Sequence, residues 1–285
     1  MSSPKPKIGL YQPYPHTFGG LQAVVLKLAR SLPASGYEPI IISPERGRFA
    51  ELAIAQGLPF LLSDPGPAWH IYGRGANSLS YLLSPQRLLA LVRYWRQLSR
   101  DLQSNNIALL HCNDYRAVML AAPAARLAGI PVIWHMHGFV SSRLVNLVAS
   151  ALVHCVVPVS QGMLEYLRLP RWLFGRYEVI HNGLEPDFVT MSAEGAAIPD
   201  DAPIILALGR LHPCKGYETL IHAFQRVLQS IPEAECWIVG AEFGDGLYAQ
   251  QVREVLDRDG RLCRGDNSPF LVDTLLEYPL WARLY

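Results

Sequence analysis

Short apolar runs alternate with longer amphipathic stretches along most of the chain. "KIGLYQP" (7–13) has the apolar density of a strand, "GGLQAVVLKLARSLPASG" (19–36) has helical spacing from a glycine start to a stop at Gly36, and "YEPIIISP" (37–44) reads as the next strand. That order predicts a β-α-β unit. The alternation continues through "IALLHCN", "AVMLAAPAARLAG", "IPVIWHMHG", "RLVNLVASAL", "VHCVVPVS", "GMLEYL" and "YEVIHNG". Continuous apolar strands such as "PIII" and "ALLHC" suit a parallel sheet covered on both faces, which binds ligands beyond the carboxyl ends of its strands.

At Leu184 the pattern turns small and polar ("LEPDFVTMSAEGAAIPDDAP"), a linker composition. A second alternation follows: "PIILALGRL" as strand, "GYETLIHAFQRVLQSIP" as helix, "AECWIVGA" as strand and "LYAQQVREVLDRDG" as helix. The predicted organisation is a first domain over 1–183, a linker over 184–202, a partial second domain over 203–260 and a tail over 261–285. In the tail, Pro269 and Pro279 interrupt regular structure, and a single short helix from Phe270 to Glu277 is the expected element.

Composition narrows the partners. With 285 residues, half of them hydrophobic, the chain can bury substantial cores, and its net charge of +1 provides no basic field for nucleic acid. Five widely spaced cysteines without a C-x-x-C pair argue against a disulfide framework or a zinc knuckle, so a cytoplasmic setting is expected. The opening "MSSPKPKIGLYQPYPHTFGG" has too short an apolar run for a signal peptide, and no later run reaches membrane-spanning length.

Four constellations carry candidate chemistry. In "LALGRLHPCKGYETLIHAF", Arg210 and Lys215 follow a strand and precede a helix start, so the cations and the helix dipole together suit a diphosphate. Two solvated surface charges are the plain alternative. Gly19 and Gly20 lie between the first strand and helix, where they either let backbone N–H groups approach a ligand or simply make a tight turn. Neither that loop nor "GAEFGDG" has the G-x-G-x-x-G spacing of a dinucleotide site. His135 and His137 fall on one face of a strand end; a metal pair lacks an evident third ligand, while His137 beside Gly138 could bond a substrate or serve as a core histidine. Arg87, Arg93, Arg96 and Arg100, interleaved with Leu88, Leu91, Val92, Trp95 and Leu98, make a basic amphipathic helix fit for a membrane surface or for packing on a core.

Together these residues resemble glycosyltransferase family 4. "GRLHPCKGYETLIHAFQRVLQSIPEAECWIVGA" (209–241) is similar to the family's G-R-L-x-x-x-K-G-x-x-x-L-I-x-A-F signature, with support from "GGLQAVV", "WHMHG", "PVSQGMLEYL" and "VIHNGLEPDFV" across roughly 7–260. The resemblance implies an α/β GT-B protein: two facing Rossmann-like domains, with a nucleotide sugar in the cleft, held mainly by the second domain, and a glycan or lipid-linked acceptor held mainly by the first. It implies transfer with retention of configuration, no metal, and no cofactor beyond the donor substrate. Arg210 and Lys215 then stabilise the leaving diphosphate, His137 contacts the transferred sugar, and Gly19 and Gly20 approach the donor phosphates. Peripheral contact with the inner membrane face goes with a lipid-linked acceptor.

The tail departs from the family. After Gly260 the only glutamate is Glu277, so the family's E-x7-E segment, whose second glutamate holds the ribose, has no counterpart. The expectation is a C-terminally truncated second domain and impaired transfer. An inactive or acceptor-binding remnant is the main alternative, and a Rossmann oxidoreductase is disfavoured by the glycine spacing.

Overall fold

The computed structural model describes residues 4–16, 18–70, 85–138, 142–167, 176–183, 203–240, 247–258 and 270–273. The chain divides into two compact units, 1–184 and 185–284.

The first unit is built on a sheet of six parallel strands, β1 (Lys7–Tyr11), β2 (Glu38–Ser43), β3 (Phe60–Leu62), β4 (Ile107–Cys112), β5 (Val132–Met136) and β6 (Cys155–Pro158), in the order β3-β2-β1-β4-β5-β6. Between them run helices α1 (Gly20–Ser31), α2 (Arg48–Ala55), α3 (Pro85–Ser104), α4 (Tyr115–Leu127) and α5 (Arg143–Leu152), followed after β6 by α6 (Gln161–Tyr166). Sequence neighbours β1, β2 and β3 extend one way from β1, and β4 to β6 the other. Their divergence at β1/β4 opens the crevice in which such sheets bind ligands.

Two cores sandwich this sheet. Ile8, Leu10 and Ile41 pack under Val25, Leu26 and Phe49 of α1 and α2. On the other side, Leu110, Val132, Trp134 and Met136 meet Leu98 and Leu102 of α3 and the alanines of α4. Those small residues let α3 and α4 approach closely, and packing of this kind keeps α4 helical through Pro123.

Local chemistry fixes the element ends. Asp114, Ser142 and Ser160 cap α4, α5 and α6 through their side chains. Gly36, left-handed at φ 86°, closes the turn after α1 as its position in the sequence predicts. Helix α2 and strand β3, in the stretch after Pro44, were not expected, and the expected strand at "YEVIHNG" reduces to an isolated bridge between Tyr177 and Val156.

The second unit has three parallel strands, β7 (Ile204–Leu208), β8 (Glu235–Val239) and β9 (Phe270–Asp273), with helices α7 (Tyr217–Val227) and α8 (Leu247–Arg258). Tyr217, Ile221, Phe224, Ile238, Tyr248 and Val252 form its core. Strand β9 corrects the helix expected from Phe270: Cys236 to Val239 of β8 pair in register with Phe270 to Asp273. A three-residue apolar run with phenylalanine and valine is a strand former, and the open side of β8 offers it hydrogen bonds that an isolated single helical turn lacks. Residues 274–277, the rest of that expected helix, lie outside the described residues.

Candidate functional site

In the second unit the candidate groups converge on the end of β7. Gly209 follows the strand, its N–H donates to the Val239 carbonyl at 2.9 Å, and its own carbonyl accepts from the Tyr217 hydroxyl at 2.6 Å. A side chain added at Gly209 would meet Tyr217 Oη at 3.1 Å and Lys215 Cε at 3.6 Å, so the Lys215 stem lies over the same strand end from which Arg210 departs. A Cβ at Gly240, after β8, would collide with the Gly209 carbonyl. Pro213–Lys215 form a single 3-10 turn, and Gly216, left-handed at φ 68° and ψ 37°, redirects the chain into α7. That conformation favours glycine and sets the spacing between Lys215 and the helix start.

Arg210 and Lys215 are both exposed. They stand at a strand end and beside a helix N-terminus, where anions are favoured. Glu218, the acid in the first turn of α7, accepts a hydrogen bond from Tyr248.

In the first unit, polar groups gather where β1 and β4 end. Gln12 Oε1 accepts from the Tyr14 amide at 3.1 Å, and the Tyr14 hydroxyl donates to Asp114 Oδ2 at 2.6 Å. Asp114 Oδ1 accepts from the Tyr115 amide at 2.6 Å, which makes the carboxylate both cap and anchor. Burial lifts the Asp114 carboxyl above its ordinary value, against the opposing pull of the Tyr14 hydroxyl and the Tyr115 amide. Asn113 Nδ2 donates to the Tyr11 carbonyl at 3.2 Å. Behind this layer the Tyr11 and Tyr94 hydroxyls share a 2.8 Å hydrogen bond, and Ser63 donates to Tyr94 at 3.1 Å, tying β1 to α3. None of Gln12, Tyr14, Asn113 or Asp114 stood out in the sequence. Their signal was the polar "ND" directly after the apolar "IALLHC".

Gly19 is the N-cap of α1, with no side-chain cap, and Gly20 is its exposed first residue. The helix thus opens with backbone N–H groups that no N-cap side chain bonds.

His135 and His137 come together as the alternation of β5 predicts. Their ring centroids are 4.0 Å apart, and His111, which the sequence did not single out, meets His135 edge-on at 5.2 Å. Trp134 and Met136 face the α3–α4 core, so the two histidines occupy the opposite face of the strand. Burial, with mutual repulsion of charge, brings His111 down to about 3 and His137 to about 3; burial brings His135 down to about 4. All three are therefore neutral at physiological pH. Among the described residues no group of three or more His, Cys, Asp or Glu side chains stands so as to hold a metal ion.

Helix α3 buries Leu91, Tyr94, Leu98 and Leu102 rather than the full expected apolar set. Leu88, Leu89 and Val92 remain exposed among its arginines. Among the described residues no helix is long and apolar enough to cross a membrane.

These features match known proteins along nearly the whole chain. The family model described as Glycosyltransferase Family 4 matches residues 18–188, and that described as Glycosyl transferases group 1 matches residues 191–258. The phosphatidyl-myo-inositol mannosyltransferase of Mycobacterium tuberculosis is 25% identical over 254 residues, covering 87% of this chain and 63% of its own length. The chain thus spans a little under two thirds of the curated relatives it matches. Among solved structures, Anabaena HepE in complex with UDP and glucose aligns with a TM-score of 0.65 at 19% identity, over 93% of this chain and 68% of that one. Sucrose-phosphate synthase from Thermosynechococcus elongatus aligns with a TM-score of 0.62 at 17% identity, over 94% and 70%. The fold is GT-B, and the chain belongs to glycosyltransferase family 4.

Proposed function

We propose that this chain takes part in sugar transfer from a nucleoside diphosphate sugar to a glycan, lipid or small-molecule acceptor, with retention of configuration. The observation that carries the reading is the Lys215 stem lying over Gly209, with Arg210 the next residue along the chain, at the head of α7. Cleavage of the sugar–phosphate bond leaves negative charge on the departing diphosphate. Cations and helix N–H groups at that position lower the barrier by stabilising the charge as it develops. Neutral His137 serves as a hydrogen-bonding partner for a sugar hydroxyl, and the opening turn of α1 at Gly19 and Gly20 serves the donor phosphates. The relatives support this chemistry by their printed descriptions, one a mannosyltransferase and one a complex with UDP and glucose. Family membership does not favour the oxidoreductase or the acceptor-binding remnant.

A peripheral contact with an anionic membrane on its cytoplasmic side is the second part of the proposal. Exposed Leu88, Leu89 and Val92, set among Arg87, Arg93 and Arg96, are the surface that supports it.

Calorimetric titration with nucleoside diphosphates, alongside release of nucleoside diphosphate from a panel of donor sugars, tests the first part. Lys215→Ala removes a charge-assisted hydrogen bond worth about 1.5–3 kcal/mol, or roughly 10- to 150-fold in affinity. Binding by the parent chain with equal binding by the variant would remove Lys215 from the site.

A further inference from the structure

We infer that His135 is the positioning residue for His137, holding its ring in one orientation at the end of β5. The inference rests on the assignment of His137 to the transferred sugar. It starts from an oddity of burial: His135 is 8% exposed, and neither of its ring nitrogens has a hydrogen-bond partner. A purely structural plate at this place would be better made of carbon, because two desolvated nitrogens cost stability that a phenyl ring keeps.

The geometry says what the imidazole does there. Side chains two residues apart on a strand start roughly 6.6 Å apart, twice the rise per residue. The rings of His135 and His137 are 4.0 Å apart at an interplanar angle of 48°, so they lean onto each other. His111 of β4 meets the same His135 ring edge-on at 75° and 5.2 Å, so His135 is in contact with both other imidazoles. His137 has its Nε2 buried without a partner, so no hydrogen bond to that atom sets the ring; the stack does.

Among the described residues, His135 of the same strand and His111 of β4 are the titratable groups that act on these rings. Strand β6 sets Pro158 against Met136 and adds no charge there, and Asp114 at the start of α4 is engaged by Tyr14 and the Tyr115 amide. Burial keeps the row uncharged, and a proton on one ring would in addition repel a second on His111 or His137. A neutral, fixed His137 can offer one N–H and one lone pair to a sugar hydroxyl, which a tumbling or cationic ring cannot do.

The test is histidine ring NMR on the full chain from pH 3 to 8, comparing the parent with His135→Phe and His135→Ala. In the parent, His137 is expected to titrate at about 3 with a single tautomer. In His135→Ala it should move toward the ordinary value of about 6.5 and show mixed tautomers, and in His135→Phe it should move less. An unchanged His137 in the alanine variant overturns the proposal, as does an unchanged value in the phenylalanine variant if the alanine variant does not fold. Where transfer is measurable, His135→Ala should lower kcat on the order of a hundredfold, move the acid limb of its pH profile upward and leave donor KM nearly unchanged, with partial recovery in His135→Phe. Absence of transfer by the parent chain would refute the assignment of function while the NMR result still decides the positioning.

Discussion

Acid should weaken the first unit by an amount that one substitution can reveal. His111 and His135 titrate at about 3 and about 4 in the fold, against about 6.5 for an unfolded histidine. Between those values the unfolded chain binds protons that the folded chain refuses, so stability is complete above pH ~6.5 and drains as pH falls toward 4. At pH 5, 1.5 units below the unfolded value, each neutral histidine costs about 2 kcal/mol at about 1.4 kcal/mol per unit. Both side chains are 8% exposed, so solvent screening subtracts little. His137 adds a further share, giving a loss of about 6 kcal/mol for the three, comparable with the whole stability of an ordinary domain. Asp114 works in the opposite direction, since a carboxyl raised by burial gains a proton in the fold as pH drops. A comparison between two proteins that both keep Asp114 cancels it. His135→Phe removes one titrating ring and keeps an aromatic plate, so at pH 7.5 it should match or exceed the parent in urea. At pH 5 it should lose about 2 kcal/mol less than the parent does. Urea titrations read by hydrogen exchange at β4 and β5 amides measure both differences. Equal losses on acidification in the two proteins would refute the claim that His135 is held neutral.

Other substitutions probe separate features. Tyr94→Phe should cost about 1–3 kcal/mol in urea unfolding, because the buried Tyr11 and Ser63 hydroxyls lose their partner; no loss would mean that this network does not fasten α3 to β1. Gly240→Ala should destabilise the second unit by about 3 kcal/mol or more, since its methyl collides with the Gly209 carbonyl; parent-like exchange rates in β7 and β8 would contradict that crowding. Leu89→Asp, at a site 52% exposed, should leave thermal stability unchanged and reduce sedimentation with anionic vesicles, and undiminished sedimentation would count against α3 as the membrane face.

Strand and helix order was legible in the sequence because parallel strands buried on both faces are continuous apolar runs. Strands β1, β2, β4, β5 and β6 all announce themselves in this way. Strand β3 has three residues, none of them fully buried, so its sequence lacks the same pressure. Strand β9 was misread because pairing with β8, a tertiary effect, overrode a local pattern broken by nearby prolines. Single residues at strand ends were harder to find. Gly19, Gly20, His137, Arg210 and Lys215 stood out as candidates from their local patterns and took their proposed roles from a resemblance, whereas Gln12, Tyr14, Asn113 and Asp114 depend on two strands distant in sequence ending side by side. No periodicity encodes that meeting.

The signature around Arg210 shows how a motif that reads as a binding site separates into different physical demands. Gly209 is small because Tyr217 and the Lys215 stem crowd it, Gly240 is small because the Gly209 carbonyl occupies the space of its side chain, and Gly216 is glycine because the turn into α7 is left-handed. These three are requirements of the backbone and would stand without any ligand. Lys215 is different: the backbone of this turn would close equally well around many exposed side chains, so its charge is a part of the motif that the backbone does not explain. Loss of donor binding in Gly240→Ala would therefore report on the strand ends, and loss in Lys215→Ala with intact stability would report on electrostatics. Only the second kind of result bears on what the site binds.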